Sequence, residues 1–245
     1  MNNNLILVSG KTGTGKSLSL RNLENQSKWM YLNCENNKAL PFKNKFESYN
    51  LTDPMDVFGG FDHMLSKPDD YEGVIIDTAT FLMDMYESVY VATAADGRSA
   101  WGDYAQFWKR LMQMYVAKTD KKIAILAHTA DIFNEGELVT ETLVKVKGSL
   151  MAQGIESYFS NVISTKKVPI KKLEAQNQAS DLLKITEDEE EVGFKHCFQT
   201  RLTKDTVNER MRAPLGMWKR SETFIDNDLQ SVFNKLETYY AEEEK

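Results

Sequence analysis

Apolar residues along the chain gather into short continuous runs, and longer stretches of helical spacing lie between them. Leu5-Ile6-Leu7-Val8, Lys28-Trp29-Met30-Tyr31-Leu32-Asn33, Gly73-Val74-Ile75-Ile76-Asp77-Thr78, Lys122-Ile123-Ala124-Ile125-Leu126-Ala127 and Asn161-Val162-Ile163-Ser164-Thr165 are runs of this kind. Such runs predict strands buried on both faces. Phe46–Asn50 predicts a short strand, the alternation from Leu138 to Lys147 another, and His196–Leu202 a late one. Between them, Asp53-Pro54 starts a predicted helix that runs to about Leu65, and Phe81–Val91 predicts a second. Trp101, Tyr104, Phe107, Trp108, Leu111 and Tyr115 recur at helical spacing and predict a core-facing stripe. A last helix, with Asp226 as N-cap, carries Leu229, Val232, Phe233, Leu236, Tyr239 and Tyr240. Buried strands alternating with helices imply an α/β fold, a mostly parallel central sheet flanked by helices, with an antiparallel C-terminal extension. Neither an internal repeat nor an interdomain linker is visible, so residues 1–245 are expected to form one domain, with about 161–245 extending the same core.

The first run leads into Ser9-Gly10-Lys11-Thr12-Gly13-Thr14-Gly15-Lys16-Ser17, which satisfies the phosphate-loop pattern G-x-x-x-x-G-K-[ST] without mismatch. A strand precedes it, and an amphipathic helix over Ser17–Leu23 is expected to follow. Glycines 10, 13 and 15 free the backbone so that successive N–H groups from Gly10 to Ser17, those of Lys11, Thr12 and Thr14 included, converge on a polyphosphate, aided by the helix N-terminus. Lys16 would bridge the β- and γ-phosphates, and Ser17 would hold Mg²⁺. ATP and Mg²⁺ are therefore the expected cofactors.

Three further polar residues fall at strand ends, where open α/β sheets bind ligands. Glu35 follows the second strand and is the candidate base that orients an attacking water; a solvated turn carboxylate is the alternative. Asp77 ends an apolar strand in the manner of a Walker B segment and would share Mg²⁺ with Ser17. His128 ends the fourth long run, where it could sense the γ-phosphate or simply be a satisfied structural histidine. Segments 94–99 and 130–137 are expected to be loops. Arg98, Trp101, Phe133, Lys145 and Lys147 are candidates for nucleic-acid contact by charge and stacking, against a plain core or surface role. The run Lys166, Lys167, Lys171, Lys172 predicts a soluble hairpin, and the acidic block Glu187–Glu191 a solvated loop or hairpin tip. Lys204, Arg210 and Arg212 cluster in a polar stretch from which a cation could reach a nucleotide on a neighbouring subunit.

Bulk composition narrows the setting. The formal charge is −6 and the two cysteines, Cys34 and Cys197, lack C-x-x-C spacing. A generally basic nucleic-acid coat, a structural zinc and a disulfide framework are all disfavoured. No signal-peptide pattern and no membrane-length apolar run is present, so a cytoplasmic protein is expected.

Taken in order, the phosphate loop, Glu35, Asp77, His128 and the final strands resemble the RecA-like ATPase core. Trp29–Glu35, Val74–Phe81 and Lys147-Gly148-Ser149-Leu150 are similar to segments of bacteriophage AAA-type nucleotide-binding proteins, a group that includes RecA-like single-strand annealing proteins. The resemblance implies Glu35 as the catalytic carboxylate, His128 as the residue coupling nucleotide state to DNA, and 94–99 and 130–137 as the two DNA-facing loops. It implies a homo-oligomer with nucleotide at or near subunit interfaces, acting on single-stranded DNA in phage recombination or annealing. With the first core strand predicted at Leu5, the likeness runs to the minimal phage proteins rather than to filament-forming recombinases. A P-loop kinase of a small acceptor and a non-enzymatic nucleotide switch are the competing readings.

Overall fold

The computed structural model describes residues 2–175 and 180–243. Its strands are β1 (Leu5–Gly10), β2 (Trp29–Asn33), β3 (Glu47–Asn50), β4 (Gly73–Asp77), β5 (Lys122–Asn134), β6 (Val139–Val144), β7 (Asn161–Pro169), β8 (Phe194–Gln199) and β9 (Phe224–Asp226). The α-helices are α1 (Asp56–Ser66), α2 (Ala79–Tyr86), α3 (Gly97–Arg110), α4 (Ser149–Gln153), α5 (Ile170–Ala175), α6 (Glu187–Val192) and α7 (Leu229–Glu243). Strand order is β3-β2-β4-β5-β1-β7-β8-β9, with β6 beside β5. From β3 through β7 neighbours are parallel, and β8 and β9 add antiparallel. The mostly parallel sheet with an antiparallel C-terminal extension is as the sequence predicts.

Both faces of the sheet are covered, which is why its strands are continuously apolar. Leu5 and Leu7 point into one cluster with Phe61, Leu82, Tyr104 and Trp108, from α1, α2 and α3. Ile6 and Val8 point into the other, which α7 closes with Leu229, Val232, Phe233 and Leu236. All four α7 residues are fully buried, each stabilising by roughly 1.5–3 kcal/mol. All the parallel strands therefore end at one edge, where β1, β2, β4 and β5 deliver the phosphate loop, Glu35, Asp77 and His128.

Several local expectations are corrected. The helix expected over Ser17–Leu23 is a single 3₁₀ turn, Ser17–Leu20. Its continuation is diverted because the entry to α7 satisfies that segment instead: the Glu24 amide donates to Gln230 Oε1 in α7, and Asn22 and Arg21 donate to Asp228 and to the carbonyl of Asn227 just before it. Asp226 ends β9 and pairs with Lys195, so it is not the N-cap of α7; Asp228 instead accepts from the Gln230 amide. Asp53 likewise precedes α1, accepting from the Met55 amide. The helix expected from Phe81 begins at Ala79, capped by Thr78, and ends in a π-turn over Glu87–Val91. The basic run belongs to the end of β7 and to α5, and the acidic block forms α6 behind a Thr186/Glu189 capping box. Most consequential, of the expected loop 130–137 only 135–137 are turn: β5 continues to Asn134 and pairs antiparallel with β6, so a hairpin rises directly from His128.

Candidate nucleotide site

The phosphate loop is shaped by two separate demands on glycine. Gly13 and Gly15 have φ of +76° and +101°, the left-handed region that side-chain-bearing residues avoid. Gly10 is needed for space instead: a Cβ there would lie 2.1 Å from Thr165 Oγ1 on β7. Thr14 ties the loop together, bonding the carbonyl of Lys11 at 2.7 Å and the Thr165 hydroxyl at 2.6 Å. With only one 3₁₀ turn behind it, the loop offers anions its own N–H groups and Lys16 rather than a long helix dipole.

Lys16 is buried and donates to the carbonyls of Gly10 and Lys11, both at 3.0 Å, and burial holds its ammonium down at about 8. A phosphate dianion would replace these carbonyls with a stronger partner. The loop lines a cavity of about 280 Å³ whose other wall comes from Tyr31, Glu35, Lys38, Leu40, Pro41, Asp77, His128 and His196.

Asp77 lies at the floor, 2% exposed. Tyr31 donates to its Oδ2 at 2.8 Å, and its Oδ1 is buried without a hydrogen-bond partner. Burial foremost, with the Glu35 charge adding, pushes its carboxyl above the usual range, while Tyr31, Ser17 and Lys16 oppose. An orphaned carboxylate oxygen beside the Ser17 hydroxyl is the donor set that Mg²⁺ accepts when phosphates and water complete its shell. Among the described residues no cluster of three His, Cys, Asp or Glu could hold a metal ion. Ser17 and Asp77 would hold the ion, which when bound neutralises charge on the β- and γ-phosphate oxygens.

Glu35 is placed by its turn. Asn33 Oδ1 accepts from the Glu35 amide at 2.9 Å, and Asn36 and Asn37 take left-handed conformations. The carboxylate meets His128 Nε2 at 3.2 Å and Lys38 Nζ at 2.9 Å. The His128 hydrogen bond first, and Lys38 with it, hold the carboxyl down at about 2 against the opposing effect of burial. In the tautomer that donates from Nε2, His128 Nδ1 is free to accept from the Thr12 hydroxyl, 3.3 Å away. His128 thus joins Glu35, the phosphate loop and the root of the β5–β6 hairpin. A second tie is the ion pair of Lys11 with Asp131, whose other oxygen accepts from Thr142 on β6.

The structure therefore brings Lys16, Ser17, Glu35, Asp77 and His128 to one cavity. The remaining candidates lie elsewhere. Phe133 is 58% exposed on the hairpin, and Lys145 is exposed just beyond β6, its amide bonded to the His128 carbonyl. Lys147 pairs with Glu87. Arg98 is exposed in the first turn of α3, whereas the Trp101 ring packs on Gly148 and edge-on against Tyr104. Lys204 lines a second, polar cleft with Lys11, Thr14, Thr165 and Lys166; Arg210 pairs with Glu141, and Arg212 is exposed.

Sequence reasoning missed Tyr31, Lys38, His196 and Asn227. His196 Nε2 lies 3.2 Å from the Gly13 carbonyl, and the fully buried amide of Asn227 faces Gly15. His196 lies on β8 and Asn227 just after β9, both distant in sequence, and no local pattern marks them. Lys38 carried a signal, since it follows Glu35 by one turn.

Among the described residues no helix is long and apolar enough to cross a membrane. None of the curated proteins compared with the chain matches it. A family model described as an AAA domain matches residues 2–177, a span that contains the phosphate loop, Glu35, Asp77 and His128. The chain belongs to this AAA domain family and is a nucleotide-binding protein of the P-loop ATPase class.

Proposed function

We propose that this protein hydrolyses Mg-ATP and acts on single-stranded DNA, promoting annealing or strand exchange in phage recombination. The observation that carries the reading is the position of His128, bonded to Glu35 and standing at the root of a hairpin that exposes Phe133. Glu35 orients a water for in-line attack on the γ-phosphate, and Lys16 stabilises the charge that develops. Movement of His128 with the γ-phosphate shifts the hairpin, and the hairpin contacts bases. The working form is a homo-oligomer in which Lys204, Arg210 or Arg212 approaches a neighbour's nucleotide.

Steady-state ATP hydrolysis with and without single-stranded DNA tests this, with Lys16→Ala as the control for contaminating activity. Stimulation by DNA that disappears in the variant is expected. DNA-independent phosphate transfer to a nucleoside acceptor would instead identify a kinase, and nucleotide binding without turnover a switch. Stacking on an exposed aromatic contributes about 1–3 kcal/mol per base, so Phe133→Ala should weaken DNA binding while leaving DNA-free hydrolysis unchanged. Equal DNA affinity in that variant would remove Phe133 from the contact.

A further inference from the structure

The cavity holds a second cationic side chain besides Lys16. Among the described residues lining it, only Lys16 and Lys38 carry a fixed positive charge. Lys16 belongs to the phosphate loop; Lys38 enters from the opposite wall, on the turn after β2.

The backbone of Lys38 is built into that turn. Its amide donates to the Glu35 carbonyl at 3.0 Å, and its own carbonyl accepts from Asn33 Nδ2 at 3.1 Å. Asn33 therefore clips both Glu35 and Lys38 in place, one at each end of the turn. The side chain is held far less tightly. Its single ion pair is with Glu35, and it is 70% exposed against 9% for its partner. With its ammonium open to solvent, Lys38 can turn away from Glu35 toward a stronger anion at small cost to itself. Glu35 keeps its His128 bond through the exchange, because that bond is to its other oxygen.

We infer that Lys38 binds the γ-phosphate of a nucleoside triphosphate in cis, leaving Glu35 as it does so and freeing that carboxylate oxygen for the attacking water. The inference deepens the ATPase reading and rests on it for the second clause; the first clause concerns binding alone. In the structure Lys38 occupies one Glu35 oxygen, and that oxygen is open to a water only when Lys38 turns away. A triphosphate, carrying more charge than a single carboxylate, draws the ammonium across the cavity, and a diphosphate does not reach it. Lys38 is thus the group by which the chain distinguishes ATP from ADP before any neighbouring subunit contributes.

The test is equilibrium binding of a non-hydrolysable ATP analogue and of ADP, each with Mg²⁺, to the wild type, Lys38→Ala and Lys38→Arg, followed by ATP turnover. Lys38→Ala should weaken the triphosphate analogue about tenfold and ADP less than twofold, because a charge-assisted contact to one phosphate is lost. Lys38→Arg should restore most of the difference. Turnover at saturating ATP should fall in Lys38→Ala, since the phosphate loses a stabilising cation. Equal weakening of both nucleotides, or of neither, overturns the inference. So does faster turnover in Lys38→Ala, which would make Lys38 only a restraint on Glu35. If the wild type binds the analogue but hydrolyses nothing, the ATPase reading fails by itself, and the affinity ratio still decides the role of Lys38.

Discussion

Glu35 lies on the turn after β2 and Asp77 ends the neighbouring parallel β4, with Asn33 of β2 directly opposite Asp77, yet the two carboxyls are treated in opposite ways. Glu35 is bonded on both oxygens, by His128 and Lys38, and its carboxyl is held down at about 2. Asp77 is deeper, has one oxygen without a partner, and is pushed up by burial. The difference assigns their chemistry. A desolvated, under-coordinated carboxylate is a place for a cation, and the protein leaves it costly until one arrives. A carboxylate held far below neutrality by two hydrogen-bond partners is a weak base, so the proposed role of Glu35 as a base requires that a partner leave. One end waits for a charge and the other waits to be released.

The largest break in this comparison is Asp77→Asn. Loss of the metal-holding charge should lower ATP turnover by about 10³-fold, on the order of 4 kcal/mol in the barrier. Without nucleotide the same variant should melt at the wild-type temperature or above. The amide can still accept from Tyr31 and donate to Ser17, and the cost of a buried charge is removed. A marked drop in melting temperature in the nucleotide-free protein would show Asp77 to be structural.

Glu35→Gln should have the next largest effect, about 10²–10³-fold on turnover with nucleotide affinity retained, the usual scale for losing a positioned base. It should also leave an acid signature. Because its folded value is depressed, the Glu35 carboxylate stabilises the folded state fully above its unfolded value near 4.5, and this contribution disappears as pH falls toward 2. At neutral pH it amounts to at most about 3 kcal/mol. Denaturant unfolding at pH 7, 5 and 3 should show the wild type's advantage over Glu35→Gln shrinking as the pH falls. An advantage that stays constant would mean that the ion pair and the His128 bond do not favour the ionised form.

The phosphate loop, Asp77, Glu35 and the strand ends were legible because each is local: a glycine spacing, or an acid at the end of an apolar run. The sheet was legible for the same reason, since strands buried on both faces announce themselves by continuous apolar residues. What could not be read was pairing across the sequence. The requirement for Gly10 comes from Thr165, on a strand far downstream. The shortness of the turn after the loop comes from Gln230 and Asp228. The stretch from Ala130 to Asn134 looked unstructured because its polar residues show no buried face; the ladder to β6 makes it a strand. His196, on β8, and Asn227, just after β9, reach the loop from beyond the residues that the family model matches.

The smallest and finest test of the comparison is Tyr31→Phe. Tyr31 is buried, stacks on Phe46 with ring centroids 5.9 Å apart, and donates its hydroxyl to Asp77 Oδ2. Removing the hydroxyl keeps the ring and its packing but leaves Asp77 free to turn. Partners that orient a metal-binding carboxylate typically change metal affinity by about 10–100-fold, and with one oxygen involved the lower end is expected. The Mg²⁺ concentration giving half-maximal turnover should therefore rise about tenfold, while turnover at saturating Mg²⁺ changes little. The split matters more than the size. A variant that loses stability with unchanged Mg²⁺ dependence would make Tyr31 a packing residue and Asp77 self-sufficient. A shift confined to Mg²⁺ dependence would show that the phenol holds one oxygen so that the other faces the ion.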